Sequence, residues 1–233
     1  MMKKLFLIIC ISLVSMASHS MGRDDPLLTK VMVGQFELRN TEGSDPIVLE
    51  AQGWVGKDLN KLWVKVDVEN VSGKTDEAEL QFLYSKAIAP YWDVQVGWRH
   101  DKMPTPNRDW FAVGFQGLAP YFFEIDAAAF IGNNGQTALR LEAEYEIMLT
   151  QKLILTPEVE INAYSKDDEA TGVGSGLSDI ELGLRLRYEI RREFAPYIGV
   201  NWNKTYGDTA NFSRDEGEDV SDTQFVVGIR AWF

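Results

Sequence analysis

The most constraining feature of the sequence is a regular alternation of apolar and polar residues that runs from Leu27 to Phe233. It is clearest in residues 139–146, LRLEAEYE, and 180–189, IELGLRLRYE. A period of two residues is typical of a β-strand with two chemically different faces. About twelve such segments follow one another, and almost no helical sequence remains to cover their apolar faces. The pattern therefore predicts an all-β fold covered by lipid, namely a membrane-spanning, antiparallel, up-and-down β-barrel of about twelve strands.

Each predicted strand is long enough to cross a bilayer when tilted, for which about 9–11 residues suffice. We place the strands near residues 27–39, 46–57, 61–70, 75–86, 90–101, 109–118, 121–131, 136–148, 151–164, 178–190, 194–204 and 222–233. Barrels of this class have short periplasmic turns and longer outer loops, and an even number of strands keeps both chain ends on one side. We therefore expect periplasmic N- and C-termini, with the longest outer loops at 165–177 and 205–221.

The first residues have the features of a secretory signal. A basic start, a short apolar run over residues 5–14 and small residues for cleavage indicate a signal peptide at 1–20. The run is too short for a spanning helix, although an N-terminal anchor helix is the alternative interpretation. Residues 21–26 would then form a short periplasmic segment, and residues 27–233 the barrel.

Two further patterns support the strand assignment. Counting back in twos from Phe233 gives only apolar residues as far as Phe225, so the last strand has an apolar face that ends in an aromatic residue. Ala-Pro-Tyr occurs three times, at 89–91, 119–121 and 195–197. Because proline ends strand pairing and tyrosine favours the membrane interface, we expect all three on periplasmic turns.

The formal net charge is −12, which disfavours binding to nucleic acid and attracts cations. The polar positions of the alternating strands face the predicted lumen, and they carry many more acidic than basic side chains. Most of these charges would stabilise the barrel interior by pairing, but the acidic excess favours cations. Four glutamates on two neighbouring strands are the candidate lumen ligands: Glu142, Glu144, Glu158 and Glu160.

A second candidate metal site lies at the outer rim. His100, Asp101 and Met103 are close in sequence, and imidazole and thioether groups are copper ligands. The other interpretation is an interfacial histidine beside a loop methionine. Met32 and Met148 fall on the lipid-facing parity and are expected to be apolar filler.

Catalysis is not expected. His100 is the one histidine outside the predicted signal peptide, and the glycine-rich run 174–176 lacks the complete pattern of a nucleophile elbow. A serine hydrolase needs a histidine within hydrogen-bond reach of its nucleophile, and nothing in the sequence indicates one. We therefore expect a protein that is not an enzyme.

Several segments resemble the copper resistance protein B family. They are LTKVM (28–32), EAQGW (50–54), LYSKAIAPYWD (83–93), GWRHD (97–101), GLAPY (117–121), LRLEAEYE (139–146) and GSGLSD (174–179). The resemblance covers residues 25–233 and implies an outer-membrane protein of copper tolerance that binds or passes copper ions. It also implies outer-membrane lipid and copper ions as partners, with a periplasmic copper protein as a further candidate.

One departure from the family bears on where copper would bind. Members commonly carry a segment rich in methionine and histidine ahead of the barrel, where this sequence has only residues 21–25, MGRDD. We therefore expect any copper function in the barrel or its loops. Two function classes stay open: a copper-tolerance barrel that binds or conducts copper ions, and a structural or adhesive barrel whose lumen is closed by salt bridges.

Overall fold

The computed structural model describes residues 26–41, 45–103 and 105–233. The predicted signal peptide and residues 21–25 lie outside these ranges. The strands are β1 (Leu28–Asn40), β2 (Pro46–Lys57), β3 (Asn60–Val71), β4 (Lys74–Ala89), β5 (Trp92–Met103), β6 (Arg108–Ala119), β7 (Phe123–Gly132), β8 (Thr137–Glu144), β9 (Ile147–Met148), β10 (Leu153–Tyr164), β11 (Gly176–Tyr188), β12 (Phe194–Thr205) and β13 (Ser221–Trp232). One helix, α1 (Gly207–Glu216), lies between β12 and β13.

The strands form one closed antiparallel barrel. Chain neighbours pair with each other around the sheet, and β13 pairs with β1 to close it. β8 and β9 both pair with β10 in a single continuous register, so together they form one of twelve barrel strands. The predicted architecture is therefore confirmed.

The interruption between β8 and β9 has a local cause. Tyr145 donates its amide to the carbonyl of Pro157 on β10, at 3.1 Å. Pro157 has no amide hydrogen to return the bond, so one rung of the ladder is missing at this point. The segment predicted as one strand, 136–148, is for this reason two strand segments.

Apolar side chains cover the outside of the barrel and polar ones fill the inside. Leu139 and Leu141 are 60% and 42% exposed, whereas Glu37, which points inward, is 1% exposed. A water-soluble barrel would show the reverse arrangement, so these faces define a transmembrane barrel. None of the described helices has the length and apolar character needed to cross a membrane.

The two ends of the barrel differ in the length of their connections. At one end, the short-turn end, the turns include Asp58–Leu59 and Pro90–Tyr91, and the chain enters β1 there. At the other, the long-loop end, residues 165–175 and 206–220 form the longest connections. The alternation of short and long connections is as predicted.

Two details of the predicted register are wrong. A β-bulge between Val33 and Gln35 inserts an extra residue in β1, and Met32 consequently lines the lumen instead of facing lipid. The third Ala-Pro-Tyr, 195–197, lies inside β12 instead of in a turn. Its tyrosine points inward and is 4% exposed.

The last residue closes the barrel. Phe233 donates its amide to Val31 at 2.8 Å and accepts the amide of Val31 at 2.9 Å. Its side chain is exposed on the lipid-facing side, as the alternation predicts.

We expect deletion of Phe233 to impair assembly, because both terminal hydrogen bonds to β1 and the terminal aromatic group are lost. The yield in the membrane fraction and heat-modifiable gel mobility would measure the effect. Phe233→Tyr is the matched control, which keeps the backbone and the ring and should assemble normally. Normal yield of the shortened chain would show that the terminal residue is dispensable.

Candidate functional site: the acidic lumen

The barrel encloses a cavity of about 850 Å³ that is lined mainly by charged and polar side chains. These side chains come from the inward parity of strands all around the barrel. Charges in such a confined space must pair with each other or attract counter-ions, because their hydration is incomplete. The pairing of each charged group therefore determines what the lumen can bind.

The first network of ion pairs surrounds Glu37. The carboxylate of Glu37 accepts hydrogen bonds from Arg39 Nε at 2.8 Å and from Arg185 Nη2 at 3.0 Å. The Tyr197 hydroxyl donates to its second oxygen at 2.9 Å. Arg185 also donates to Glu158, at 2.8 Å. The network joins β1 to β10, β11 and β12, and Glu37 is fully neutralised within it.

A second network crosses the lumen from β8 to β4. Arg140 Nη2 lies 3.0 Å from Glu79 Oε2, and Arg99 Nη2 lies 2.8 Å from the same oxygen. Arg140 also pairs with Glu160 at 3.3 Å. The guanidinium of Arg99 lies over the ring of Phe130, 4.6 Å from its centroid, which adds a cation–π contact.

Other ion pairs narrow the lumen nearer the short-turn end. Arg230 on β13 reaches Glu144 on β8 at 3.0 Å. Lys65 on β3 pairs with Asp126 on β7. Together these two ion pairs bring side chains from four strands, β3, β7, β8 and β13, into the lumen. The lumen is therefore not a wide open pore.

Part of the inner wall is apolar. A cluster of buried side chains on β4, β6, β7 and β8 packs inside the barrel: Leu83, Trp110, Ala112, Phe130 and Ala138. Within this cluster Trp110 donates its indole N–H to Asp101 at 2.7 Å. The apolar wall fills volume on one side, which leaves the polar cavity nearer the other strands.

The four glutamates proposed from sequence are brought together as cross-strand neighbours. Glu144 lies opposite Glu158, and Glu142 lies opposite Glu160, on β8 and β10. Three of them have a basic partner, since Glu144, Glu158 and Glu160 pair with Arg230, Arg185 and Arg140. Glu142 has no ion pair with any residue that the structure describes.

Five further lumen carboxylates resemble Glu142 in making neither an ion pair nor a side-chain hydrogen bond with the described residues. Within the described ranges, none of the six makes either contact, whereas Asp179 accepts a hydrogen bond from Asn162. The set, called the uncompensated carboxylates below, is Glu50, Asp67, Glu69, Glu77, Glu124 and Glu142. Glu50 lies opposite Asp67 on β2 and β3, and Glu69 lies opposite Glu77 on β3 and β4. Strand parity places all six in the lumen, but no sequence signal separates them from paired acids.

The rim residues proposed as a copper site do not come together. His100 lies on the outer face, stacked on Trp98 with ring centroids 5.4 Å apart, and its Nδ1 is 2.8 Å from Asp109 Oδ1. Asp101 and Met103 line the lumen on the opposite face of β5. Asp101 is already paired with Arg99 at 2.7 Å.

No preformed metal centre is evident in the part of the chain that the structure covers. There, no three side chains from His, Cys, Asp and Glu converge closely enough to hold a metal ion.

Comparison with solved structures places the fold among outer-membrane barrels. The NanC porin superimposes with a TM-score of 0.56 at 11% identity, covering 88% of this chain and 99% of the porin. The KdgM porin gives a TM-score of 0.52 at 12% identity, again covering 88% of this chain and 99% of the porin. At such identities the likeness shows the fold alone. The chain is an outer-membrane β-barrel protein.

Sequence comparison identifies the family. The family model for the copper resistance protein B precursor matches residues 27–233. Copper resistance protein B of Escherichia coli is 47% identical over 87% of this chain and 69% of its own length. A homologue from Pseudomonas syringae pv. tomato is 44% identical over 93% of this chain and 74% of its own length. The chain belongs to the copper resistance protein B family, which supports a role in copper resistance.

Proposed function

We propose that this barrel binds copper ions in its lumen and lets them pass from one carboxylate pair to the next. The observation that carries the proposal is the set of uncompensated carboxylates around the cavity. In a family linked to copper resistance, an inner wall with excess negative charge is a feature that a copper cation would recognise.

Electrostatics favours cations over anions in this lumen. Acidic side chains in a confined cavity create a negative potential, which raises the local concentration of cations. Among divalent first-row ions, Cu²⁺ binds most tightly to a given set of oxygen or nitrogen ligands. The carboxylate pairs therefore favour Cu²⁺ over its competitors without a dedicated cage.

The arrangement of the carboxylate pairs suits the passage of copper ions through the lumen better than their storage. Conduction requires sites that are favourable enough to enter and weak enough to leave. The pairs Glu69–Glu77 and Glu50–Asp67 follow each other along β3, two residues apart, and Glu124 lies near the short-turn end. In this proposal the short-turn end faces the periplasm, where a periplasmic copper protein would exchange ions.

A structural barrel is the second candidate, and the ion pairs that cross the lumen favour it. In that case the carboxylates would contribute nothing to copper tolerance. Survival of a deletion strain on copper, complemented with the natural chain or with a lumen variant that folds, separates the two functions.

We expect the double variant Glu50→Gln, Glu142→Gln to weaken copper association by about tenfold, equivalent to ~1.4 kcal/mol. Both changes remove negative charge from the cavity and leave the described ion pairs intact. Copper titration of the refolded barrel and the cation preference in a planar bilayer measure the effect.

The matched control is Glu169→Gln, Glu216→Gln, which removes two exposed carboxylates at the long-loop end, one in the β10–β11 loop and one at the end of α1. This control should bind copper as the natural chain does. Unchanged copper binding in the lumen variant, with intact folding, would contradict the proposal.

A further inference from the structure

The β10–β11 loop at the long-loop end, residues 165–175, is folded and not extended. Asp168 donates its amide to Val173 at 2.7 Å and accepts the amide of Val173 at 3.1 Å, which closes a small turn. Ser175 donates its amide to Asp167 Oδ1 at 2.6 Å. Thr171, Gly172 and Val173 consequently line the lumen cavity from above.

This loop packs tightly against α1. Gly174 donates its amide to Thr209 Oγ1 at 2.8 Å, and Ser178 Oγ is 3.1 Å from the same hydroxyl. A Cβ atom at Gly174 would lie 2.2 Å from the backbone nitrogen of Thr209, so glycine is required for this approach. Residues 165–175 and α1 therefore form one unit, called the cap below.

Among the described residues, one ion pair ties the cap to the rim of the barrel at β6. Arg108, at the start of β6, donates from Nε to Asp168 Oδ2 at 2.8 Å. The two side chains are only 16% and 12% exposed. Gln136 also donates to the carbonyl of Lys166 at 2.9 Å, so the cap passes over the ends of β7 and β8 on its way to β6.

The charges on the strands nearest the cap differ from those beside the β3–β4 turn. Arg99 and Arg140 lie on β5 and β8, on the side that the cap reaches. Glu69 and Glu77 lie on β3 and β4, where the connection is the two-residue turn Ser72–Gly73. The cap thus approaches the strands that carry Arg99 and Arg140, whereas one uncompensated pair, Glu69 and Glu77, lies beside a short turn.

We propose that the cap directs ions to the acidic β3–β4 side of the mouth, and that the Arg108–Asp168 pair holds it in that position. The cap steers ions past Glu69 and Glu77, so it determines charge selectivity as well as width. This inference concerns any small ion and does not depend on copper. Potassium chloride is therefore the appropriate probe.

The test compares Asp168→Asn with Glu169→Gln, a control that removes an exposed charge from the same loop. We expect Asp168→Asn to raise single-channel conductance in potassium chloride by about twofold and to shift the reversal potential in a salt gradient toward that of an unselective pore. The charge swap Arg108→Asp, Asp168→Arg should restore both values, since the pair is re-formed with reversed polarity. Glu169→Gln should behave as the natural chain.

Trypsin cleavage at the exposed Lys166 reports separately whether the cap is released. Faster cleavage of folded Asp168→Asn, together with lower selectivity, is the expected result. Unchanged cleavage would show that Arg108 and Asp168 do not hold the cap. Faster cleavage with unchanged selectivity would show that the cap does not direct ions. Neither outcome affects the copper titration of the lumen variant, so the two proposals fail independently.

Discussion

Glu37→Gln is expected to lower the free energy of unfolding by about 3–5 kcal/mol, the cost of removing one partner from a buried ion pair. Glu37 accepts from Arg39, Arg185 and Tyr197 and has no side-chain contact with solvent. The variant leaves two guanidinium groups with less negative charge around them in a buried site. Urea unfolding of the refolded barrel in lipid vesicles measures the loss.

Glu142→Gln is the matched control for this prediction, because it makes the same chemical change at a lumen glutamate without an ion pair. Its unfolding free energy should stay the same or rise, since repulsion from neighbouring acids such as Glu160 and Asp126 falls. Equal destabilisation in both variants would mean that the described pairing does not determine stability in the lumen.

The contrast between these two glutamates shows which features of the lumen a local sequence pattern predicts and which it does not. The alternation of apolar and polar residues is a local property of each strand. It therefore predicts correctly that both Glu37 and Glu142 face the lumen. Pairing depends instead on which strands face each other across a closed barrel. Arg185 and Glu37 are 148 residues apart in the chain, and Arg140 and Glu79 are 61 apart. No local pattern contains that information.

Local irregularities explain the register errors. The bulge at Gly34 adds one residue to β1, which reverses the parity of everything before it and turns Met32 inward. In Ala195-Pro196-Tyr197 the tyrosine faces Glu37 and not the interface, although the tripeptide is identical to two that do lie at turns. Sequence alone also gave no indication of α1, because a polar ten-residue helix in a loop has no distinctive periodicity.

The alternation of side chains along a strand also explains where the predicted copper ligands lie. Adjacent residues in a strand point to opposite faces, so His100 and Asp101 cannot share a ligand sphere without leaving the strand. A site drawn from consecutive residues is plausible in a loop, whereas β5 extends as far as Met103. Cross-strand neighbours, such as Glu50 and Asp67, are the pairs that a barrel can bring together.

The second large effect is expected on the lipid-facing side. Leu141→Arg should lower the unfolding free energy by about 2–4 kcal/mol, the cost of arginine near the bilayer midplane on the outer face of a barrel. Leu141 lies near the middle of the strand formed by β8 and β9, and its side chain is 42% exposed on the outside. Urea titration in lipid vesicles gives the value.

Leu177→Arg provides the matched control, because Leu177 is also outward-facing but lies at the long-loop end of β11, where it is 38% exposed. Near the interface the same substitution should cost only about 0–1 kcal/mol, since the guanidinium reaches water and headgroups. The difference between the two variants measures depth in the membrane and is independent of the change in side-chain shape. If both variants lost the same stability, the two leucines would lie at equal depth, and the barrel could not span the bilayer from the short-turn end to the long-loop end.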